Sequence, residues 1–161
     1  MTASGGPLPK NITSVYVPEF ENHTPESGVG GALTDEVRRL LDRQGIGGHA
    51  GPTGTEGTLY GRIVGAGAAP LASKVYNSNV PGAVTNPNAV GDPGLYTVTL
   101  TVSAKLMRGS EVVSEIQNLS LSEQYLPAND LAVFEANRQT AMHRLVHDMA
   151  KEIVERLTTG W

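Results

Sequence analysis

The chain has 161 residues, 39% hydrophobic and 17% charged, with 19 glycines, 10 prolines, no cysteine and a formal net charge of −4. That length suits one domain with a real core, while the acidic balance and the scarcity of aromatics (two Phe, one Trp) argue against a nucleic-acid-binding face. Without cysteine there is no disulfide, thiol nucleophile or thiolate metal site, and no run of about 18 apolar residues crosses a membrane.

Residues 1–11 are rich in Gly and Pro and read as a flexible segment ahead of a single domain over 12–161. They lack the charged and apolar regions of a signal peptide. Two readings stay open: a cytosolic protein, or a mature domain whose export signal has been trimmed away.

Residues 12–20 read as the first strand, with Val15 and Val17 on one face and Ser14 and Tyr16 on the other. Pro18 cannot donate to a ladder, so the strand ends or lies at an edge there. Asn22 and Thr24 are turn and cap residues, and a helix follows from Pro25 or Gly28 to about Gln44. Its stripe is Val29, Leu33, Val37, Leu40 and Leu41, and Gly45, Gly47 and Gly48 end it.

A second strand is expected from Thr58 to about Ala66. Leu59, Gly61, Ile63 and Gly65 would share one face, and Tyr60, Arg62 and Val64 the other. The intervening helix makes a parallel crossover pairing of the first two strands the expected arrangement. Residues 67–94 carry four prolines with several Asn and Gly, and read as a long loop.

Leu95 to Arg108 alternates most cleanly: Val98, Leu100, Val102, Ala104 and Leu106 against Thr97, Thr99, Thr101, Ser103 and Lys105. Arg108-Gly109-Ser110-Glu111 signals a hairpin, and the returning strand runs to about Tyr125. Its apolar parity slips between Ile116 and Leu119, which predicts a β-bulge near Gln117-Asn118. Asp130 or Asn129 then caps a final helix over 131–158, with a stripe through Phe134, Ala141, Met142, Leu145, Met149, Ile153 and Leu157. The expected fold is an α+β two-layer sandwich, a four-stranded mixed sheet with two helices on one face, in the order β-α-β-β-β-α.

Catalytic signals are sparse. His143 and His147 stand at i and i+4, a spacing that can bind a metal, yet no Glu follows His143 and no third ligand is evident; the pair reads as solvated. Gly61-Arg62-Ile63-Val64-Gly65 precedes no helix, and the glycines of 45–57 lack the Lys-Ser/Thr ending of a phosphate loop. No Gly-x-Ser-x-Gly elbow occurs. The small hydroxyl side chains of Thr97, Thr99, Thr101 and Ser103 admit two readings. One is β-propensity on a wet face; the other is a smooth polar surface that lies against another protein or inside a wet cavity.

The stretch Leu8-Pro9-Lys10-Asn11-Ile12-Thr13-Ser14-Val15-Tyr16-Val17-Pro18-Glu19-Phe20-Glu21-Asn22-His23-Thr24 resembles the start of the LptE family of lipopolysaccharide-assembly outer-membrane lipoproteins. There a "P-x-x-I-x-x-I-x-V-P-x-F-x-N-x-T" run leads into a helix bearing "L-T-x-x-(L/V)-R", here Leu33-Thr34-Asp35-Glu36-Val37-Arg38. Thr58-Leu59-Tyr60-Gly61-Arg62-Ile63, Tyr96-Thr97-Val98, Gln124-Tyr125 and Ile153-Val154-Glu155-Arg156-Leu157 with Trp161 resemble later family blocks in the same order.

The resemblance implies a non-enzymatic plug and assembly partner of the LptD β-barrel, moving lipopolysaccharide to the cell surface, with no cofactor. With that resemblance the hydroxyl row Thr97, Thr99, Thr101 and Ser103 is the expected partner-facing surface, and Arg62, Lys74, Lys105 and Arg108 are candidates by position for contacts with lipopolysaccharide phosphates, the alternative for each being solvated surface charge. The resemblance also implies residence at the periplasmic face of the outer membrane through a lipidated N-terminal cysteine. Since this sequence has no cysteine, it is expected to begin after that anchor, with Met1 an added start. The first block is also similar to small α/β domains of curli-secretion and Tol-type periplasmic proteins. The long hairpin and the Trp-ended helix favour LptE.

Overall fold

A computed structural model describes residues 12–47, 56–70 and 94–159. Its elements are β1 (Ser14–Tyr16), β2 (Glu21–Asn22), α1 (Val29–Arg43), β3 (Glu56–Pro70), β4 (Tyr96–Arg108), β5 (Glu111–Tyr125) and α2 (Leu131–Thr159). β3, β4 and β5 form an antiparallel meander, and β1 pairs parallel to β3, so the sheet runs β1-β3-β4-β5. The predicted α+β architecture stands, with parallel pairing of the strands that flank α1. The sheet has one strand more than expected, the two-residue β2, also parallel on β3.

The alternation of β4 decides the layering. Val98, Leu100, Val102, Ala104 and Leu106 are buried in one cluster with Leu33, Val37 and Leu41 of α1 and Leu145, Met149, Ile153 and Leu157 of α2. Both helices therefore cover the same face of the sheet. Each fully buried aliphatic side chain contributes about 2 kcal/mol by removal from water. Tyr96, Tyr125 and Phe134 close one end of this core; the Tyr96 and Phe134 rings meet edge-on at 4.9 Å.

The first strand is shorter than predicted. β1 stops at Tyr16, and β2 resumes pairing with β3 only at Glu21. Between them lies Pro18, which has no N–H to offer the ladder, and side chains of α1 satisfy the neighbouring backbone instead. The Val17 carbonyl accepts from Arg38 Nε at 2.9 Å, and the Phe20 N–H donates to Thr34 Oγ1 at 2.8 Å. The buried Thr34 hydroxyl in turn donates to the Gly30 carbonyl at 2.6 Å. Phe20 packs on Gly61 of β3, where an added Cβ would lie 2.3 Å from the ring.

Asn22 and Thr24 shape the chain between β2 and α1. Asn22 Oδ1 accepts from the Thr24 N–H and hydroxyl, and its Nδ2 donates to the Glu26 carbonyl. α1 begins after Gly28 at φ 82. It ends with Gly45 at φ 78, the Ile46 N–H on the Leu41 carbonyl and the Gly45 N–H on the Asp42 carbonyl, the two bonds of a Schellman motif. α2 starts as the sequence predicts, with Asp130 Oδ1 accepting from the Ala132 N–H at 2.9 Å.

β3 runs to Pro70, four residues into the stretch read as loop from the sequence, because Gly67 to Pro70 pair with Thr99 to Tyr96. The remainder of that loop, 71–93, lies outside the described residues.

Candidate partner-binding face

The face of the sheet away from the helices carries the predicted hydroxyl row. Thr97, Thr99, Thr101 and Ser103 stand together there on β4, each part-exposed. Their partners on β5 are polar too: Gln124 opposite Thr97, and the small Ser122 and Ser120 opposite Thr99 and Thr101. The hydroxyls join across the strands, Thr99 Oγ1 to Ser122 Oγ at 3.0 Å and Thr101 Oγ1 to Ser120 Oγ at 2.9 Å. Such pairs lock rotamers, so the face is both polar and pre-ordered. Thr97 Oγ1 is buried and has no hydrogen-bond partner among the described residues.

On the other side of β4 the face is nearly bare. Gly65, Gly67 and Ala69 oppose Thr101, Thr99 and Thr97. This corrects the sequence reading, which put Gly65 on the same face as Leu59 and Ile63. The register shifts between Ile63 and Gly65, so the extra residue Val64 turns Gly65 to the open side, where its added Cβ would meet Thr101 at 3.5 Å. The outcome is a flat strip: the column Gly65, Gly67 and Ala69, with little or no side chain, beside Thr99 and Thr101, whose hydroxyls bond those of Ser122 and Ser120.

The predicted bulge in β5 lies where the parity slip put it. Val102 pairs with Leu119 and Ala104 with Ile116, leaving Gln117 and Asn118 opposite Ser103. Asn118 takes φ 52, and its N–H donates to Ser103 Oγ at 3.0 Å. A groove of about 480 Å³ opens at this bulge, lined by Tyr60, Arg62, Ser103, Lys105, Glu115 and Asn118 among others.

The structure thus brings two of the predicted cations, Arg62 and Lys105, to one groove. Each stands in register with a carboxylate: Arg62 with Glu21 on β2, and Lys105 with Glu115 on β5. The Glu21 carboxyl is held below its ordinary range by the His23 hydrogen bond, with smaller help from the charges of His23 and Arg62. Arg108 lies at the hairpin opposite Glu111, apart from that groove. Lys74 lies outside the described residues.

The two histidines lie on the helix layer. His147 Nδ1 sits 2.5 Å from Glu36 Oε2 of α1. Glu36 also pairs with Arg39; the Arg39 hydrogen bond first, then that of His147, outweighs the cost of burial and brings the carboxyl down to about 2. His143 and His147 line a cavity of about 690 Å³ between α1 and α2, with Glu36 and Arg39. Among the described residues no group of three or more His, Asp or Glu side chains is placed to hold a metal ion.

The profile of the lipopolysaccharide-assembly family LptE matches residues 12–157, nearly the whole of the described domain. The chain belongs to the LptE family. The motif blocks that resemble LptE in sequence are, in this fold, the two halves of one joint: Val17-Pro18-Glu19-Phe20 on one side, Thr34 and Arg38 on the other.

Solved structures agree on the LptE-like fold. Uncharacterized lipoprotein B from Nitrosomonas europaea superposes with a TM-score of 0.64 at 12% identity, covering 99% of this chain and 90% of that one. A minor lipoprotein from Acinetobacter baumannii gives 0.58 at 15% identity, over 96% and 95%. Rare lipoprotein B from Shewanella oneidensis gives 0.51 at 15% identity, over 90% and 92%. No match was found among curated proteins.

Proposed function

We propose that this LptE-family chain is a non-enzymatic assembly subunit that seats in an LptD-like outer-membrane β-barrel and supports lipopolysaccharide transport to the cell surface, held at the periplasmic face by an N-terminal lipid. Family membership over residues 12–157 carries the reading. The open sheet face supports it: a surface that seats against the wet wall of a barrel needs to be polar, flat and already ordered, so that little side-chain entropy is lost on docking. The paired hydroxyls and the Gly65-Gly67-Ala69 column meet that need. In this reading Thr97, Thr99, Thr101 and Ser103 face the barrel. Arg62, Lys105 and Arg108, with Lys74 from the loop, meet lipopolysaccharide phosphates.

The test is co-expression with the cognate barrel protein. The two are expected to co-purify when the barrel is inserted, and a barrel that inserts without retaining this chain overturns the assignment. The full-length precursor is expected to carry a signal peptide ending in a lipidation cysteine upstream of Thr2. A precursor with a cytosolic start would refute the same reading.

A further inference from the structure

Two bulges face each other across β4. On β3 the register shifts between Ile63 and Gly65, and on β5 between the partners of Val102 and Ala104, so both irregularities flank Val102 and Ser103. A bulge bends its strand and sharpens the local twist, and here two act at one level of the sheet. The open face is divided there. On one side lie the cross-strand rows Gly65-Thr101-Ser120, Gly67-Thr99-Ser122 and Ala69-Thr97-Gln124. On the other lie Tyr60-Lys105-Glu115 and Arg62-Ser103, with Asn118 bonded to Ser103 at the bulge.

The two parts offer a partner different things. The flat strip can exclude water over a broad area, but its side chains are small, and the Thr99 and Thr101 hydroxyls already bond those of Ser122 and Ser120. Serine and threonine seldom carry much of an interface's binding energy. Tyrosine, tryptophan and arginine do, ringed by near-neutral contacts that keep water out. Beyond the bulges, Arg62 stands in register with Glu21 and Lys105 with Glu115, so each cation has a carboxylate beside it within the sheet. Tyr60 is the group with surface to spare. It is 54% exposed, and it lines the groove at the β5 bulge, whereas the exposed Leu126, Leu131 and Val133 lie where β5 passes into α2. Its neighbours in the chain are the fully buried Leu59 and Gly61, on which Phe20 packs, so the core fixes its backbone. A tyrosine on a rigid strand presents an apolar ring with a polar tip at little cost in side-chain entropy, which suits a wet interface. The ring stands on the same face as the strip, about 15 Å along β3 from Gly65, so a wall that seats on the strip reaches it.

We infer that Tyr60 is the anchor of the barrel contact, its ring seating in a pocket of apolar and aromatic side chains on the barrel wall while the hydroxyl strip serves as the water-excluding surround. This rests on the reading of the chain as a subunit of an LptD-like barrel.

The experiment is a competition inside the cell. Parent and variant chains with different tags are co-expressed at equal levels with the cognate barrel protein, and the ratio retained on the purified barrel is read. Tyr60→Ala should be retained at least about tenfold less than the parent. Tyr60→Phe, which keeps the ring, and the Thr99→Ala, Thr101→Ala double variant, which keeps the strip flat, should stay within about threefold. Because Tyr60 is exposed, the urea midpoint of Tyr60→Ala should match the parent's. A photoreactive Tyr60→p-benzoylphenylalanine chain should crosslink to the barrel on irradiation, a readout that does not depend on the alanine variant folding. Undiminished retention of Tyr60→Ala overturns the inference. So does a threonine double variant that loses as much, a Tyr60→Phe variant as weak as alanine, or a photoprobe that leaves the barrel unlabelled. In all of these the parent is still retained; a parent chain that an inserted barrel does not retain overturns the assignment itself.

Discussion

Replacing Thr34 by valine isolates the joint between the first strand and the first helix. The two side chains are nearly isosteric, so packing is kept and only the hydroxyl is lost. Thr34 is 1% exposed, and its Oγ1 is the partner of the Phe20 N–H at 2.8 Å. Phe20 is itself buried, and among the described residues no sheet partner stands beside it, since β1 has ended at Tyr16. An orphaned buried N–H costs about 1–3 kcal/mol. The bond to the Gly30 carbonyl at 2.6 Å is a smaller loss, because it is local to the helix. A destabilisation of about 2 kcal/mol follows, which lowers the urea midpoint by about 1 M for a slope of about 2 kcal/mol/M. Thr34→Ser, which keeps the hydroxyl, should lose about 1 kcal/mol or less, from the missing methyl. Amide exchange at Phe20 should accelerate in the valine variant ahead of global unfolding. A valine variant within about 0.5 kcal/mol of the parent would refute the claim that this bond holds the joint.

Gly61→Ala forces a Cβ against the Phe20 ring and should destabilise by about 2–3 kcal/mol; an unchanged urea midpoint would show that the ring simply moves aside. Phe134→Ala removes one member of the ring cluster with Tyr96 and Tyr125, at a cost of about 3 kcal/mol in equilibrium unfolding, and a loss below about 1 kcal/mol would count against that cluster as an anchor of α2. Glu36, with its carboxyl at about 2 against an ordinary 4.5, contributes stability that is complete above about pH 5 and fades as pH falls through 4.5 towards 2. Solvent screening limits that contribution to about 1 kcal/mol, so Glu36→Gln should trail the parent at pH 7 and match it near pH 2; a gap that persists in acid contradicts the linkage. Thr99→Glu with Thr101→Glu should leave unfolding within about 0.5 kcal/mol of the parent while weakening retention by the barrel, and undiminished retention would return the hydroxyl face to ordinary β-propensity.

What the sequence disclosed depended on how local the cause was. β4 was legible because its alternation is unbroken from Tyr96 to Leu106, and the bulge at Gln117-Asn118 was legible as a slip in that alternation. The far end of β3 was not, because Ala66-Gly67-Ala68-Ala69-Pro70 has little intrinsic β preference and is a strand only through its register with β4. The same holds for β2, two residues that pair because Phe20 and Thr34 deliver them to β3. Of the open face, the hydroxyl row could be read directly. Its bare neighbour could not, since the shift at Val64 reverses the face of everything after it. The roles of Thr34 and Arg38 were invisible to local reading; their partners lie 14 and 21 residues away.

The joint explains why the family's most recognisable residues say little about binding. Pro18 breaks the strand, Thr34 and Arg38 satisfy the backbone that the break exposes, and Phe20 seats on Gly61, so each contact depends on the others being in place. Solved structures with this fold share only 12–15% identity with the chain. In the block Leu59-Tyr60-Gly61-Arg62-Ile63, Leu59 and Ile63 are fully buried and Gly61 receives Phe20. Only Tyr60, 54% exposed, and Arg62 face outward, both lining the groove at the β5 bulge. Binding specificity is therefore sought in positions that alternate with the motif, where a substitution alters what the face meets without loosening what holds it.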